Sequence, residues 1–516
     1  MISKRPLLVE ELAELFAIQP NTEASEAIPA FDASLRPENP EEFVLSACST
    51  LVVIVKLGHG DDSHQKIVQF SHFSVREYLI SDRIANSEHV SRFHILLRPA
   101  HALLARACLS VLLQVDDRVD EEIHKSPLAS YAAQYWVDHA QFENVSSDIR
   151  YGMECLFDRN KPHFATWLRL YNMDDAWTTP LHSAPYPVPL YYAALCGFRD
   201  LAEHLLYAHP QDINARGGRH VTPLYAALEM GHPSVAILLV EHGADMESRD
   251  SESWTPLHIA SFRGYTEVAA LLIDRGADLN AKFDRETPLY VAFQRGHDEI
   301  FRLLLDHGAD ANRPDNHGKT LLHLAFKRGR DEIFRLLLDH GADANHSDNR
   351  GLTPLHLASQ GGHDEFVRLL LDHGADTNHP DIVGRTVLHL AFEGGRDEIF
   401  RLLLDHGADA NRPDNLDTTP LHLASAIASD EVVRLLLDHD ADANHPDELD
   451  MTPLHFASRR GHEEIVRLLL DYGANANHPD NSGRTPIHLA LQEDHDHIVR
   501  LLLDHGAVGN HSDNPS

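Results

Sequence analysis

The string DEIFRLLLDHGADAN occurs three times without a change, at Asp298–Asn312, Asp331–Asn345 and Asp397–Asn411. A close variant, DEFVRLLLDHGADTN at Asp364–Asn378, shows what it encodes. Phe366, Val367, Leu369, Leu370 and Leu371 recur at helical spacing, which predicts a helix over Asp364 to His373 with one apolar face. Asp364 and Glu365 open that helix and His373 closes it, both matching the helix dipole. Gly374 stops it.

Working outward, Thr353-Pro354-Leu355-His356 precedes the string. Thr353 reads as an N-cap and Pro354 as the first helical residue, where its missing N–H costs nothing. Leu355, Leu357 and Ala358 give a short first helix its apolar face, and Gly362 ends it. Ala375 to Gly384 is short, polar and turn-rich, suited to a β-hairpin finger leading to the next unit. Neither helix can bury its apolar face alone, so the units must stack.

The threonine recurs at Thr222, Thr255, Thr287, Thr320, Thr353, Thr386, Thr419, Thr452 and Thr485, spaced by 33 residues with a single 32. A diverged unit with Pro189-Leu190-Tyr191 precedes them, making about ten. With TPLH, the G-H pair and LLLDHGAD-x-N in register, residues 188–512 resemble the ankyrin repeat. The resemblance implies L-shaped helix–turn–helix units with hairpin loops, stacked into a mostly α solenoid. It also implies that fingertips and first helices, on the concave face, bind partner proteins.

One unit departs from the pattern. Asp440 replaces the glycine of LLLDHGAD, where the backbone needs positive φ, at an expected cost of roughly 1 kcal/mol. Ala426, Ile427, Ala428 and Ser429 also replace its usual interhelical turn. This unit reads as the weakest of the array.

Residues 1–175 have no repeat and read as a separate α-rich region. Val9 to Gln19 has helical spacing, and Pro20 to Pro40 reads as a loop. Val44–Leu57 and Lys66–Phe70 are β-prone around a turn at Gly58–Asp62, and Ser74–Ile84 again looks helical. The string VQFSHFSVREYLIS at Val68–Ser81 resembles the winged-helix segment, also described as GPI-inositol-deacylase-like, that follows the NACHT domain in fungal STAND-type, NLR-like proteins. Tyr131–His139 is similar to the linker that joins it to ankyrin repeats. The resemblance implies three parts: a winged-helix-like segment at 1–95, a helical linker at 96–180 and the repeat domain at 188–516. It places the nucleotide-binding NACHT domain before residue 1, which leaves a sensor half without its switch. The alternative is the C-terminal part of a NACHT-type signalling NTPase.

Of 516 residues, 44 are Lys or Arg and 79 Asp or Glu, a net charge of −35. Residues 1–187 carry −10 and residues 188–516 carry −25. Phosphate backbones and anionic membranes should be repelled, so nucleic acid is not expected as a partner and a partly basic protein surface is. The apolar run Val44–Val55 is about half what a bilayer span needs. Four scattered cysteines without CxxC argue for reduced thiols and a cytoplasmic protein.

Several chemistries lack their residues. Gly318-Lys319-Thr320 is the tail of a phosphate loop, but Arg313 stands in place of its first glycine. The 39 histidines fall in register, as His323, His356, His389, His422, His455 and His488 or before the repeat glycine. Stacked helices lie about 8–10 Å apart, too far for equivalent rings to share a zinc ion at ~2.0–2.1 Å. A local hydrogen bond is the expected role of the TPLH histidine. There is no HExxH and no G-x-S-x-G. A non-enzyme without cofactor, metal or small-molecule substrate is expected.

Positions that vary while the frame stays constant are the candidate contacts, since the scaffold does not require apolar residues at its fingertips. They are Trp254, Phe283, Ile382, Val383, Leu416 and Met451 at the fingertips. Phe262, Arg263, Arg295, Lys327, Arg328 and Arg459, at the ends of the first helices, complete the mixture typical of binding hot spots. They predict a protein partner of unknown identity.

Overall fold

The computed structural model describes residues 11, 39–40, 52–56, 66–70, 96–114, 127–171, 173, 188–250, 253–282, 286–394, 397–427 and 429–508. The chain divides into two compact units, Met1–Asp278 and Leu279–Ser516.

In the first unit, β1 (Val52–Lys56) and β2 (Lys66–Phe70) form an antiparallel pair with Val52 opposite Phe70 and Lys56 opposite Lys66. The flanking helices expected at Val9–Gln19 and Ser74–Ile84 lie outside the described residues, Glu11 apart. Helices α1 (Leu97–Leu112) and α2 (Pro127–Ala140) follow, then the shorter α3 (Val145–Asp148), α4 (Arg150–Leu156) and α5 (His163–Leu170).

An aromatic core joins these helices to the first repeat. Trp136 and Trp167 are fully buried and meet edge-on, with ring centroids 5.4 Å apart. Trp136 reaches Phe198 at 5.4 Å and Trp167 reaches Tyr192 at 5.8 Å, both residues of the first repeat. The Trp167 indole N–H donates to Ala133 O, and the Gln141 amide donates to Cys196 O. Large rings cover the apolar edge that the first repeat would otherwise leave without a neighbour.

Among the described residues ten helix pairs follow, from α6 (Pro189–Leu195) with α7 (Arg199–Ala208) to the last pair, Pro486–Gln492 with Asp496–Asp504. The sequence accounts for their ends. Thr353 holds extended φ/ψ of −85° and 166° before Pro354, and its hydroxyl accepts from the His356 N–H. Gly231, Gly264, Gly296 and Gly461 end first helices in the left-handed region. In the Thr353 repeat the helix closes at Gln360, and the left-handed glycine is Gly362, φ 70°. The LLL leucines divide by helix phase: Leu370 and Leu371 are buried while Leu369 is half-buried. A fully buried leucine contributes about 2 kcal/mol.

The TPLH histidine does more than bond locally. Its Nδ1 accepts from the threonine N–H, at 3.1 Å for Thr353 and His356. That leaves the proton on Nε2, which in four repeats donates one repeat onward, whereas the buried Nε2 of His356 meets no acceptor among the described residues. His323 reaches Leu352 O at 3.0 Å, His389 reaches Thr418 O at 2.9 Å, His422 reaches Met451 O at 3.0 Å and His455 reaches Arg484 O at 3.2 Å. Each of these rings fastens its first helix to the next finger. Burial pushes the pKa of His356, His422 and His455 down to about 4, which keeps these rings neutral.

Candidate protein-binding surface

The fingers of the second unit are each built on one aspartate. The Asp381 carboxylate accepts from the N–H groups of Val383 and Arg385, at 3.0 and 2.9 Å, while Asp381 N–H donates to Arg385 O. Asp414 and Asp447 repeat the arrangement with Leu416 and Thr418, and with Leu449 and Met451. At the equivalent Asp480, burial alone would raise the carboxyl pKa. The N–H groups of Arg484 and Ser482 and the Arg484 guanidinium hold it below the usual range instead. The fingers are side-chain-tied turns, with no strand ladder among their described residues.

Neighbouring fingers are tied by backbone. Asn349 N–H donates to His317 O, Ile382 to Arg350 O, Asn415 to Val383 O, Glu448 to Leu416 O and Asn481 to Leu449 O, at 3.0–3.2 Å. Glycine makes this approach possible. A Cβ on Gly351 would lie 2.9 Å from Asp381 Cα, and one on Gly384 would lie 2.7 Å from Asn415 N, at φ of 75° and 83°. Asp417 and Asp450 occupy the same register with φ of 56°.

The expected contact residues do not share one environment. Ile382, Val383 and Leu416 are 66%, 44% and 59% exposed, on neighbouring fingers. Leu449, not among the expected contacts, joins them at 60%. Its signal was available, since Val383, Leu416 and Leu449 are 33 residues apart. Met451 is a correction: it is buried, and its carbonyl receives the His422 ring N–H. It stands immediately before the capping threonine, where the finger has already turned inward, as does the buried Leu352. Trp254 stands in the same register and is half-buried against Phe262, ring centroids 5.3 Å apart. Phe283 lies outside the described residues.

The first-helix ends expose Arg263, Arg295, Lys327, Arg328 and Arg459. Arg263 pairs with Glu229 of the preceding repeat at 2.7 Å. Arg328 donates to Gln294 at 2.7 Å and lies over the Phe293 ring. Three second-helix arginines reach the next repeat's glutamate, Arg335 to Glu365, Arg368 to Glu398 at 2.7 Å and Arg401 to Glu431 at 3.4 Å, whereas Arg467 pairs with Glu463 and Glu464 of its own helix.

Gly318 and Thr320, from the phosphate-loop-like string, are a fingertip turn with φ 77° and a helix cap. Among the described residues, no three or more His, Cys, Asp or Glu side chains gather as a metal site, and no helix is long and apolar enough to cross a membrane.

Stacked helix pairs with tied, outward fingers define a repeat protein of the kind that presents a surface rather than a pocket. Residues 190–513 match the family described as "Ankyrin repeats (3 copies)", in overlapping segments 190–283, 281–348, 340–414, 378–447 and 421–513. The chain belongs to the ankyrin-repeat family. It is also similar to the azaphilone pigments biosynthesis cluster protein L of Monascus ruber, 31% identical over 251 residues, covering 45% of this chain and 50% of that protein. The chain thus spans about half the length of the curated relative it matches. Ankyrin repeats support a role in binding other proteins.

Proposed function

We propose that the protein is a non-enzymatic interaction scaffold or sensor that holds a protein partner across its fingertips and first-helix ends. The observation that carries this reading is the exposure of Ile382, Val383, Leu416 and Leu449 on neighbouring, hydrogen-bonded fingers. Folding gains nothing from apolar side chains there, and desolvating such a row is what an interface rewards. In this reading the protein works in the cytoplasm, with residues 1–95 as a winged-helix-like adaptor, 96–180 as a helical linker and 188–516 as the binding domain.

A photo-crosslinking amino acid at position 416 of the full chain, with position 365 as the outer-face control, tests the reading in cell extract. Protein adducts at 416 and not at 365 are expected. Adducts confined to 365, or none at either, would overturn it.

The stretch His72–Leu79 favours one second reading, a part of a NACHT-type signalling NTPase whose nucleotide-binding domain is encoded upstream. Saturable binding of labelled ATP by the full chain, or an in-frame phosphate-loop sequence upstream, would favour it.

A further inference from the structure

The fingertip row of the second unit is graded in character. In one register it runs His317, Arg350, Val383, Leu416, Leu449, each tied to the next finger through its carbonyl. Arg350 is exposed and its carbonyl holds Ile382, so a cation borders the apolar stretch directly. The first-helix ends are not graded in this way: Lys327 is exposed before the apolar stretch, and Arg459, in its register, and Arg460 are exposed after it. Among the described residues Arg350 makes no ion pair, although the second-helix arginines on either side of it in sequence, Arg335 and Arg368, each reach a glutamate. Toward the other end, Asp417, Glu448 and Asp450 are exposed beside Leu416 and Leu449.

A protein with a net charge of −35 thus presents, along its fingertips, a cation without a carboxylate partner at one end of an apolar ridge and carboxylates toward the other. Resting on the scaffold reading above, we propose that the ridge binds a directional segment of another protein. Acidic residues of that segment lie over Arg350, and its apolar residues cover Ile382, Val383, Leu416 and Leu449. Charge complementarity sets the direction. Reversed, the acidic end would meet Asp417, Glu448 and Asp450, and like charges brought together oppose binding. Repeats stack about 8–10 Å apart, so the apolar contacts on three fingers span roughly 16–20 Å, the reach of about six extended residues. The overall charge favoured a basic partner, whereas the local arrangement at this ridge favours an acidic one.

The test is selection of a random peptide display library on the full chain. Enriched peptides are expected to carry Asp or Glu to one side of Leu, Ile, Val or aromatic residues. Binding should weaken about tenfold or more with Arg350→Glu, and with the triple variant Val383→Asp, Leu416→Asp, Leu449→Asp. Against the first of these variants, a peptide with Lys in place of its acids should bind better than the acidic one. Circular dichroism should show unchanged melting, because the altered side chains are exposed.

Enrichment without acidic bias, or binding indifferent to both variants, would overturn the proposal. So would a self-associated chain, seen by sedimentation velocity, that Leu416→Asp dissociates, since the ridge would then meet a second copy. The scaffold reading fails separately: extract proteins crosslinked at 416 equally with and without Arg350→Glu keep that reading and sink this one.

Discussion

The early repeats and the later ones fasten to their neighbours at the same register position with different side chains. In the later array the ring of His323, His389, His422 or His455 donates to a carbonyl 29 residues on. In the first two repeats tyrosine stands there. Tyr225 donates to Trp254 O, also 29 residues on, and to Ser248 O at 2.7 Å, while Tyr191 accepts from the His220 N–H at 3.1 Å. Either ring spans the gap between a first helix and the next finger. The tie is therefore a matter of reach and polarity rather than of one residue type. What separates them is acid, because imidazole must stay neutral to accept the threonine N–H, whereas burial pushes the Tyr225 phenol further from its charged form.

Acid is therefore the strongest way to break the equivalence. Unfolded, these imidazoles take a proton near pH 6.5; folded, His356, His422 and His455 do so only near pH 4. Between those values the unfolded chain binds more protons, so stability is whole above about pH 6.5 and falls as pH drops towards 4. Full protonation would remove about 3 kcal/mol per ring. Hydrogen exchange read by mass spectrometry at about pH 7 and about pH 4.5 should show helices between residues 321 and 492 losing protection before those at 189–230. Equal loss in both regions would break the distinction.

Removing one tie should come next in size. His422→Ala deletes a buried ring, its bond to Met451 O and the acceptor for the Thr419 N–H. A loss of about 3 kcal/mol in denaturant unfolding is expected. His422→Tyr should restore part of it and reduce the acid sensitivity of that repeat. If Tyr performs no better than Ala, the two rungs are not equivalent.

A smaller effect marks the weak unit of the later array. Asp440 sits at φ 61°, where Gly407 and Gly473 hold 82° in its neighbours. Asp440→Gly should raise stability by about 1 kcal/mol, visible as a later thermal transition. Smallest of all, Arg368→Gln breaks a surface pair with Glu398 and should cost less than about 0.5 kcal/mol. A larger loss would mean that second-helix ion pairs, and not the rings, carry the coupling between repeats.

Much of this was legible in the chain itself. Thr353, Pro354 and Gly374 act through their own backbone geometry, and a 33-residue period fixes which positions correspond, so the helix pairs and their ends could be read directly. Side-chain direction at the fingertips could not. Val383 and Met451 both read as apolar tip residues, yet the first is exposed and the second buried, because the Asp-anchored turn reverses the chain between the two positions. Trp254, in the register of Met451, is half-buried for the same reason, and Leu449 shares the exposed register of Val383 and Leu416.

By itself the sequence determined the repeat, its length and its caps, since those depend on contacts within a few residues. Only the tertiary structure decided where each ring and fingertip goes. The imidazole proton finds its acceptor 29 residues away, and each tip finds its backbone partner in the next finger. Aromatic rings from the preceding helices close the edge of the first repeat. Those partners are brought together by stacking, and stacking sets the distances that local propensity leaves open.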